Sequence, residues 1–265
     1  FVEGDGNDTI TNFKFADPDG YNGNADEINT RFMAIDQVSV DGSDVVLTLA
    51  GTNDRLRITD AKGEDFQIQN VYDTVTAQVG DTELNYDGTA DYFFATGKNA
   101  SVVVAEDSTD DASIWLNNDE RGDSTFKGDI KTLDASAYDG AATLVGNDNS
   151  NVIIAGDGGN SLWGGNNGDD SLIGGEGADL FWYEMGNGND TISGAGSNDT
   201  INLYGISIDD FAAYGEDLFN GNNIEAKLKN GDTLTIENGR NSGATFTLAD
   251  GTVWTAGNGS FDKKN

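Results

Sequence analysis

From Asn151 to Ile201 an amide or carboxylate stands two places ahead of a large apolar residue in a rhythm of about nine residues. The pairs are Asn151 and Ile153, Asn160 and Leu162, Asp170 and Leu172, Asp179 and Phe181, Asp190 and Ile192, Asp199 and Ile201. Steps between pairs are 9, 10, 9, 11 and 9 residues, so the register recovers after each insertion. Glycine turns separate them: AGDGGN at 155–160, GGNNGDD at 164–170, GGEGAD at 174–179, MGNGND at 185–190 and GAGSND at 194–199. Glycine lets a turn adopt positive φ and direct its carbonyls inward, while the acid adds a hard anionic oxygen. The apolar residue two beyond it points away from solvent on a short strand. A flexible Gly/Asn/Asp linker shares this composition, but has no reason to place Leu, Phe or Ile in each unit.

These residues resemble the RTX (repeats-in-toxin) calcium-binding β-roll, with its repeat G-G-x-G-x-D-x-U-x, U being a large apolar residue. The copy at 174–182, GGEGADLFW, fits every position, whereas the first two units carry Asn151 and Asn160 where Asp is expected. The resemblance implies an all-β fold: a parallel β-roll, or β-solenoid, with calcium held in its turns and antiparallel β-meanders as end caps. With nine residues as half a coil, Asn151, Asp170 and Asp190 line one edge and Asn160, Asp179 and Asp199 the other. The expected metal positions also take in the turn residues Gly156, Asp157, Gly158, Gly165, Asn167, Gly175, Glu176, Gly177, Gly186, Asn187, Gly188, Gly194 and Gly196. Asp170 with Asp190, and Asp179 with Asp199, form the strong sites. Sites sharing Asn151 or Asn160 carry less charge and are weaker or empty.

The chain has 265 residues and a formal net charge of −33, from 47 acids against 14 bases, with 36% apolar residues. So acidic a chain borders on the disordered class unless cations compensate it, and its charge argues against nucleic acid and anionic membrane surfaces. There is no Cys and no His, which excludes thiol nucleophiles, imidazole bases, disulfides and the common zinc ligands. No apolar run reaches membrane length, and no signal peptide is visible.

The opening FVEGDGNDTI matches FWYEMGNGNDTI at 181–192, and the likeness continues. DEIN at 26–29 aligns with DTIN at 199–202, AIDQV at 34–38 with SIDDF at 207–211, NDRLRI at 53–58 with GDTLTI at 231–236, and FQI at 66–68 with FTL at 246–248. This is an internal repeat of roughly 180 residues, present about one and a half times. Because the first copy starts in mid-motif, the chain is expected to come from a longer repetitive protein, with Asp8 and Asp26 as the last metal-facing positions of an earlier roll. Pro18, the only proline, sits in a DPDG turn between them.

Alternation predicts strands at 38–40, 45–49, 56–58 and 66–68, joined at Asp41-Gly42 and Asn53-Asp54, and a hairpin at Asn230-Gly231. LADGTVW at 248–254 resembles the segment that follows the roll in many RTX proteins, with LNYDGT at 84–89 as the first copy's version. Short segments at 102–104, 114–116, 130–133 and 143–145 read as looser coils leading into the roll, with a solvated acidic loop at 105–111. Three parts follow: 1–92, the end of one roll with a meander; 93–205, a solenoid leading into the roll; and 206–265, a partial second meander. Trp182 follows the inward Phe181 and is expected to face outward, where exposed aromatics would meet glycan, a host surface or a neighbouring chain; partial burial under a loop or cap is the favoured alternative.

No catalytic set is apparent. The expected role is a non-enzymatic, calcium-stabilised structural or adhesive module of a secreted surface protein, folding in extracellular calcium after export by the type I route that the resemblance implies. Alternatives are a self-assembling fibre or surface-layer subunit, through head-to-tail contacts between copies, and the accessory region of a secreted RTX protease, lipase or epimerase.

Overall fold

Glycine turns recurring every nine to eleven residues leave room only for strands of three to five residues, and such strands build the roll, while the first unit also has strands of six and seven. The computed structural model describes residues 6–13, 15, 26–31, 35–49, 54–70, 74–88, 90, 92–106, 108, 112–116, 125–213, 218–257 and 260–264. Pro18 with its turn, Asn53, and positions 107 and 109–111 of the acidic loop lie outside the described residues. Among those described there is no α-helix, and no helix long and apolar enough to cross a membrane. The chain divides into one unit of residues 1–103 with 123–130, and another of 104–122 with 131–265.

In the second unit consecutive strands alternate between two parallel sheets, so each nine-residue unit is half a coil. Val152–Ile154, Ser171–Ile173 and Asp190–Ser193 stack in one sheet, and Ser161–Trp163, Leu180–Glu184 and Thr200–Tyr204 in the other. Register is set by the apolar rows. Ile153 pairs with Leu172 and Leu172 with Ile192; Leu162 pairs with Phe181 and Phe181 with Ile201. None of these six is more than 1% exposed, and a slip of one residue would turn every one of them outward.

The parallel stacking ends where a hairpin takes the place of the next coil. Thr233–Ile236 runs parallel to Asp190–Ser193 and antiparallel to Asn223–Lys227. Thr245–Thr247 likewise runs parallel to Thr200–Tyr204 and antiparallel to Val253–Gly257. The hairpin at Asn230-Gly231 is wider than a two-residue turn. The Leu228 N–H donates to Asp232 O at 2.9 Å, and Gly231 takes a φ of +104°, closing a three-residue loop. These meanders cover the last coil, as a solenoid end requires.

The first unit repeats this plan. Asn7–Ile10 runs parallel to Arg55–Ile58, with Ile10 opposite Ile58, as Ile192 stands opposite Ile236 in the second unit. The antiparallel neighbour follows in both, Val45 opposite Ile58 and Ile224 opposite Ile236. Ile28 pairs with Ile68 where Ile201 pairs with Phe246, so the structural match falls on Ile68 and not on the sequence-aligned Phe66. A shift of two residues keeps the same side chains facing the core, which is why the sequence alone does not detect it. A second alignment also moves: LADGTVW joins two antiparallel strands, whereas LNYDGT lies in and after the later strand Glu83–Tyr86. Leu47, Leu56, Ile58, Phe66, Ala77 and Val79 form the centre of this unit's core.

The stacked rows carry the second unit's stability, so Phe181→Ala, which empties an unexposed position, is expected to cost about 3–5 kcal/mol. Denaturant unfolding in saturating calcium measures it; a cost below about 1 kcal/mol would contradict the inward assignment.

Candidate metal centre

Two ladders of acid and amide side chains run along the edges of the roll, one per sheet. On the first, the Asn151 N–H donates to Asp170 Oδ1 at 2.8 Å, and the Asp170 N–H donates to Asp190 Oδ1 at 3.0 Å. On the second, the Asn160 N–H donates to Asp179 Oδ1 and the Asp179 N–H to Asp199 Oδ1, both at 2.8 Å. Each carboxylate thus clamps the backbone of the coil before it. That clamp could not be read from spacing, since the sequence shows that acids stack but not which oxygen the backbone takes.

The other oxygen is left over. Oδ2 of Asp170, Asp179 and Asp190 is buried and makes no hydrogen bond, and none of these residues is more than 2% exposed. Asp199 Oδ2 accepts from the Gly196 N–H at 2.6 Å within its own turn. Burial, the first cause, pushes the Asp170 carboxyl up to about 7 and the Asp190 carboxyl up to about 8, and it raises Asp179 as well. The neighbouring charge of Asp169 adds to the shift of the first two.

The turns between the acids approach so closely that only glycine fits. A Cβ at Gly175 would overlap the carbonyl oxygen of Gly156, and one at Gly177 that of Gly158; Gly188 stands in the same relation to Gly168. Carbonyls of one turn are therefore held against the next, and carbonyl and carboxylate oxygens are what calcium selects. The donor set and the unpartnered Oδ2 atoms fit a hard cation. Among the described residues no three carboxylates converge, so backbone carbonyls would have to complete the coordination.

The amide positions behave differently. Asn160 Nδ2 donates to the carbonyls of Gly156 at 2.9 Å and Gly158 at 2.6 Å, and to Asp179 Oδ1 at 3.1 Å. Its amide hydrogens already satisfy carbonyls that a cation would otherwise bind. Asn151 Oδ1 accepts from the Asn147 N–H at 2.8 Å. Asp157, Asn167 and Glu176 have exposed side chains, and Asn167 takes a φ of +61°. Asn187 is 1% exposed, with an Nδ2 that has no partner. Gly165, Gly186 and Gly194 adopt positive φ, at +110°, +100° and +85°. Asp8, the counterpart of Asp190, is exposed, and Asp26 is too.

Several supporting residues lie off the repeat pattern. The Tyr183 hydroxyl donates to Gly188 O at 2.9 Å and braces the 185–190 turn from inside; its pKa is raised by burial. Asp232 Oδ2 accepts from the Gly186 N–H at 2.7 Å, so a meander acid caps the last turn of this edge. Asp169 Oδ1 accepts from the Asn189 N–H at 2.9 Å. The Asp169-Asp170 doublet was the available signal for the last; nothing in the spacing marks Asp232.

No protein-family model matches this chain, and no curated protein matches it. Among solved structures, the extracellular lipase LipA from Serratia marcescens matches with 15% identity and a TM-score of 0.25, over 87% of this chain and 32% of the lipase. The chain thus spans about a third of the lipase's length, and the likeness is too distant to transfer any residue's role.

The raised carboxyls set a pH dependence. Folding raises Asp170 and Asp190 from an ordinary value of 3.8 to about 7 and about 8, so the calcium-free fold holds protons that the unfolded chain releases. Their contribution is complete below about pH 4 and is lost as pH rises toward about 8. In EDTA, the residual β signal in circular dichroism is expected to be greater at pH 5 than at pH 8, and Asp190→Asn to narrow the gap; an unchanged gap in that variant would remove this explanation.

Proposed function

We propose that this chain is a calcium-stabilised, non-enzymatic structural or adhesive repeat module of a secreted, cell-surface protein, with folding coupled to extracellular calcium. The observation that carries this reading is the buried, unpartnered Oδ2 on Asp170, Asp179 and Asp190. An ionised carboxylate without a partner in such a place is costly, and a divalent cation is the partner whose chemistry suits an oxygen-lined, glycine-walled turn. Calcium there would neutralise the acids and bridge successive coils. Calcium sites of extracellular modules work at roughly 10⁻⁴ to 10⁻³ M, so the chain would stay unfolded where calcium is scarce. The RTX resemblance, with export by the type I route, agrees with that logic.

Binding free energy becomes folding free energy because the stacked turns do not exist in the unfolded chain. In a net charge of −33, the acid–acid repulsion that calcium relieves extends well beyond the ladders. The absence of His and Cys from the sequence removes the usual nucleophile–base pairs and supports a non-catalytic role.

Head-to-tail self-association is a second reading, favoured by one observation. Among the described strands, Asn7–Ile10 and Glu27–Arg31 are the last members of their sheets, whereas their counterparts Asp190–Ser193 and Thr200–Tyr204 are paired on both sides. Such an edge strand can pair with a coil that precedes it or with another copy, and contacts between copies that do not close build filaments.

Calcium titrated into EDTA-stripped protein, followed by far-ultraviolet circular dichroism with magnesium as control, is expected to give a cooperative gain of β signal with calcium alone. A β-rich spectrum in EDTA, indifferent to calcium, would overturn the mechanism. Sedimentation in millimolar calcium tests the second reading: concentration-dependent growth supports it, and a sharp monomer removes it.

A further inference from the structure

The outer face of the sheet that carries Leu162, Phe181 and Ile201 on its inside is not the bland polar surface expected of a solenoid. Trp115, Val145, Trp163 and Trp182 stand in register on successive strands, one residue beyond the inward row. A cavity of about 440 Å³ opens over them, bordered by Tyr204, Ser161 and Glu184. Its size falls within the range of small-ligand sites, which pair aromatic walls with a few polar groups.

Two of the rings, Trp115 and Trp182, are fixed before any ligand arrives. Trp115 Nε1 donates to Ser113 Oγ at 3.1 Å, and Trp182 Nε1 donates to Ser161 Oγ at 3.0 Å. Trp182 and Tyr204 stand 6.3 Å apart between ring centroids and are inclined at 58°, so they form a corner rather than a closed stack. Tyr204 is 61% exposed, and Trp163 and Trp182 are half-buried, which leaves aromatic surface open to solvent. Rings held in place by their own indole hydrogen bonds lose little freedom on binding.

Charge selects the occupant. Among the described residues Glu184 is the one acid bordering the cavity and no Lys or Arg borders it, while the chain as a whole carries −33. A polyanion is repelled. The face offers flat apolar rings beside hydroxyls and one carboxylate acceptor, a match for a ligand with apolar ring faces and donor hydroxyls at its rim. Strands in a sheet lie about 4.7–4.9 Å apart, so an extended ligand lying along the coil axis meets a new strand at each step. We propose that this face is a binding site for a neutral saccharide chain, with Trp163 and Trp182 as stacking platforms and Glu184 accepting a hydrogen bond from a sugar hydroxyl.

The test uses the whole calcium-loaded chain and isothermal titration, with tryptophan fluorescence as a second readout. Probes are gluco-, manno- and galacto-oligosaccharides of several linkages, with an oligogalacturonate as the anionic control. At least one neutral oligosaccharide is expected to bind, and Trp182→Ala to weaken it by about tenfold or more, as removal of one packed aromatic anchor does. Glu184→Gln weakens it by less, and each variant keeps the parent's circular dichroism and calcium midpoint. Should Trp182→Ala fail to fold, Tyr204→Ala at the exposed margin takes its place. The proposal is overturned if no neutral oligosaccharide binds at millimolar concentration, or if binding survives both substitutions undiminished. It is equally overturned if the oligogalacturonate binds as well as the neutral probes, or if the substitutions dissolve a self-association and change nothing else. Because fold and calcium midpoint are followed separately, failure here stays distinguishable from failure of the calcium mechanism.

Discussion

The hydrogen bond from a backbone N–H to the carboxylate one coil later is the interaction on which the roll depends. It appears at Asn151 with Asp170, Asp170 with Asp190, Asn160 with Asp179 and Asp179 with Asp199, with distances of 2.8 to 3.0 Å. It fixes the spacing of successive turns, and glycine is then required because carbonyls of neighbouring turns come too near for a Cβ, as at Gly175 against Gly156. It also consumes one oxygen of each acid. In Asp170, Asp179 and Asp190 the remaining oxygen is buried and unpartnered, whereas in Asp199 it accepts from the Gly196 N–H.

Asn160 shows the same geometry solved without charge. Its amide donates to Gly156 O and Gly158 O, so hydrogen atoms satisfy the turn carbonyls there. The chain therefore grades its roll from a neutral beginning to a charged centre. At the far end Asp232 and the meander close it, the acid accepting from the Gly186 N–H where a further coil's turn would otherwise stand. The first unit uses the same closing device on Asn7–Ile10 and Arg55–Ile58, so the duplication preserves not only residues but the junction between parallel stacking and antiparallel capping.

Inside and outside of the same strands answer to different demands. Leu162, Phe181 and Ile201 fill the interior and are interchangeable in kind, since any large apolar residue meets that need. Outside, Trp163 and Trp182 are half-buried, and the Trp182 indole is held by the Ser161 hydroxyl.

The sequence by itself determined the roll. A large apolar residue two places after each acid, with glycines between, specifies which side chains share a face and hence the in-register rows of Ile153, Leu172 and Ile192 and of Leu162, Phe181 and Ile201. It also exposed the duplication through DEIN and DTIN and through LRI and LTI. Periodicity is local, so the chain displays it directly. Only the tertiary structure decided the rest: which carboxylate oxygen the backbone takes, that Ile68 and not Phe66 occupies the place of Phe246, that Asp232 caps a turn 46 residues earlier, and that Trp115, Trp163 and Trp182 line one cavity. Those depend on contacts between residues far apart in the chain and on hydrogen-bond direction, and a one-dimensional pattern contains neither.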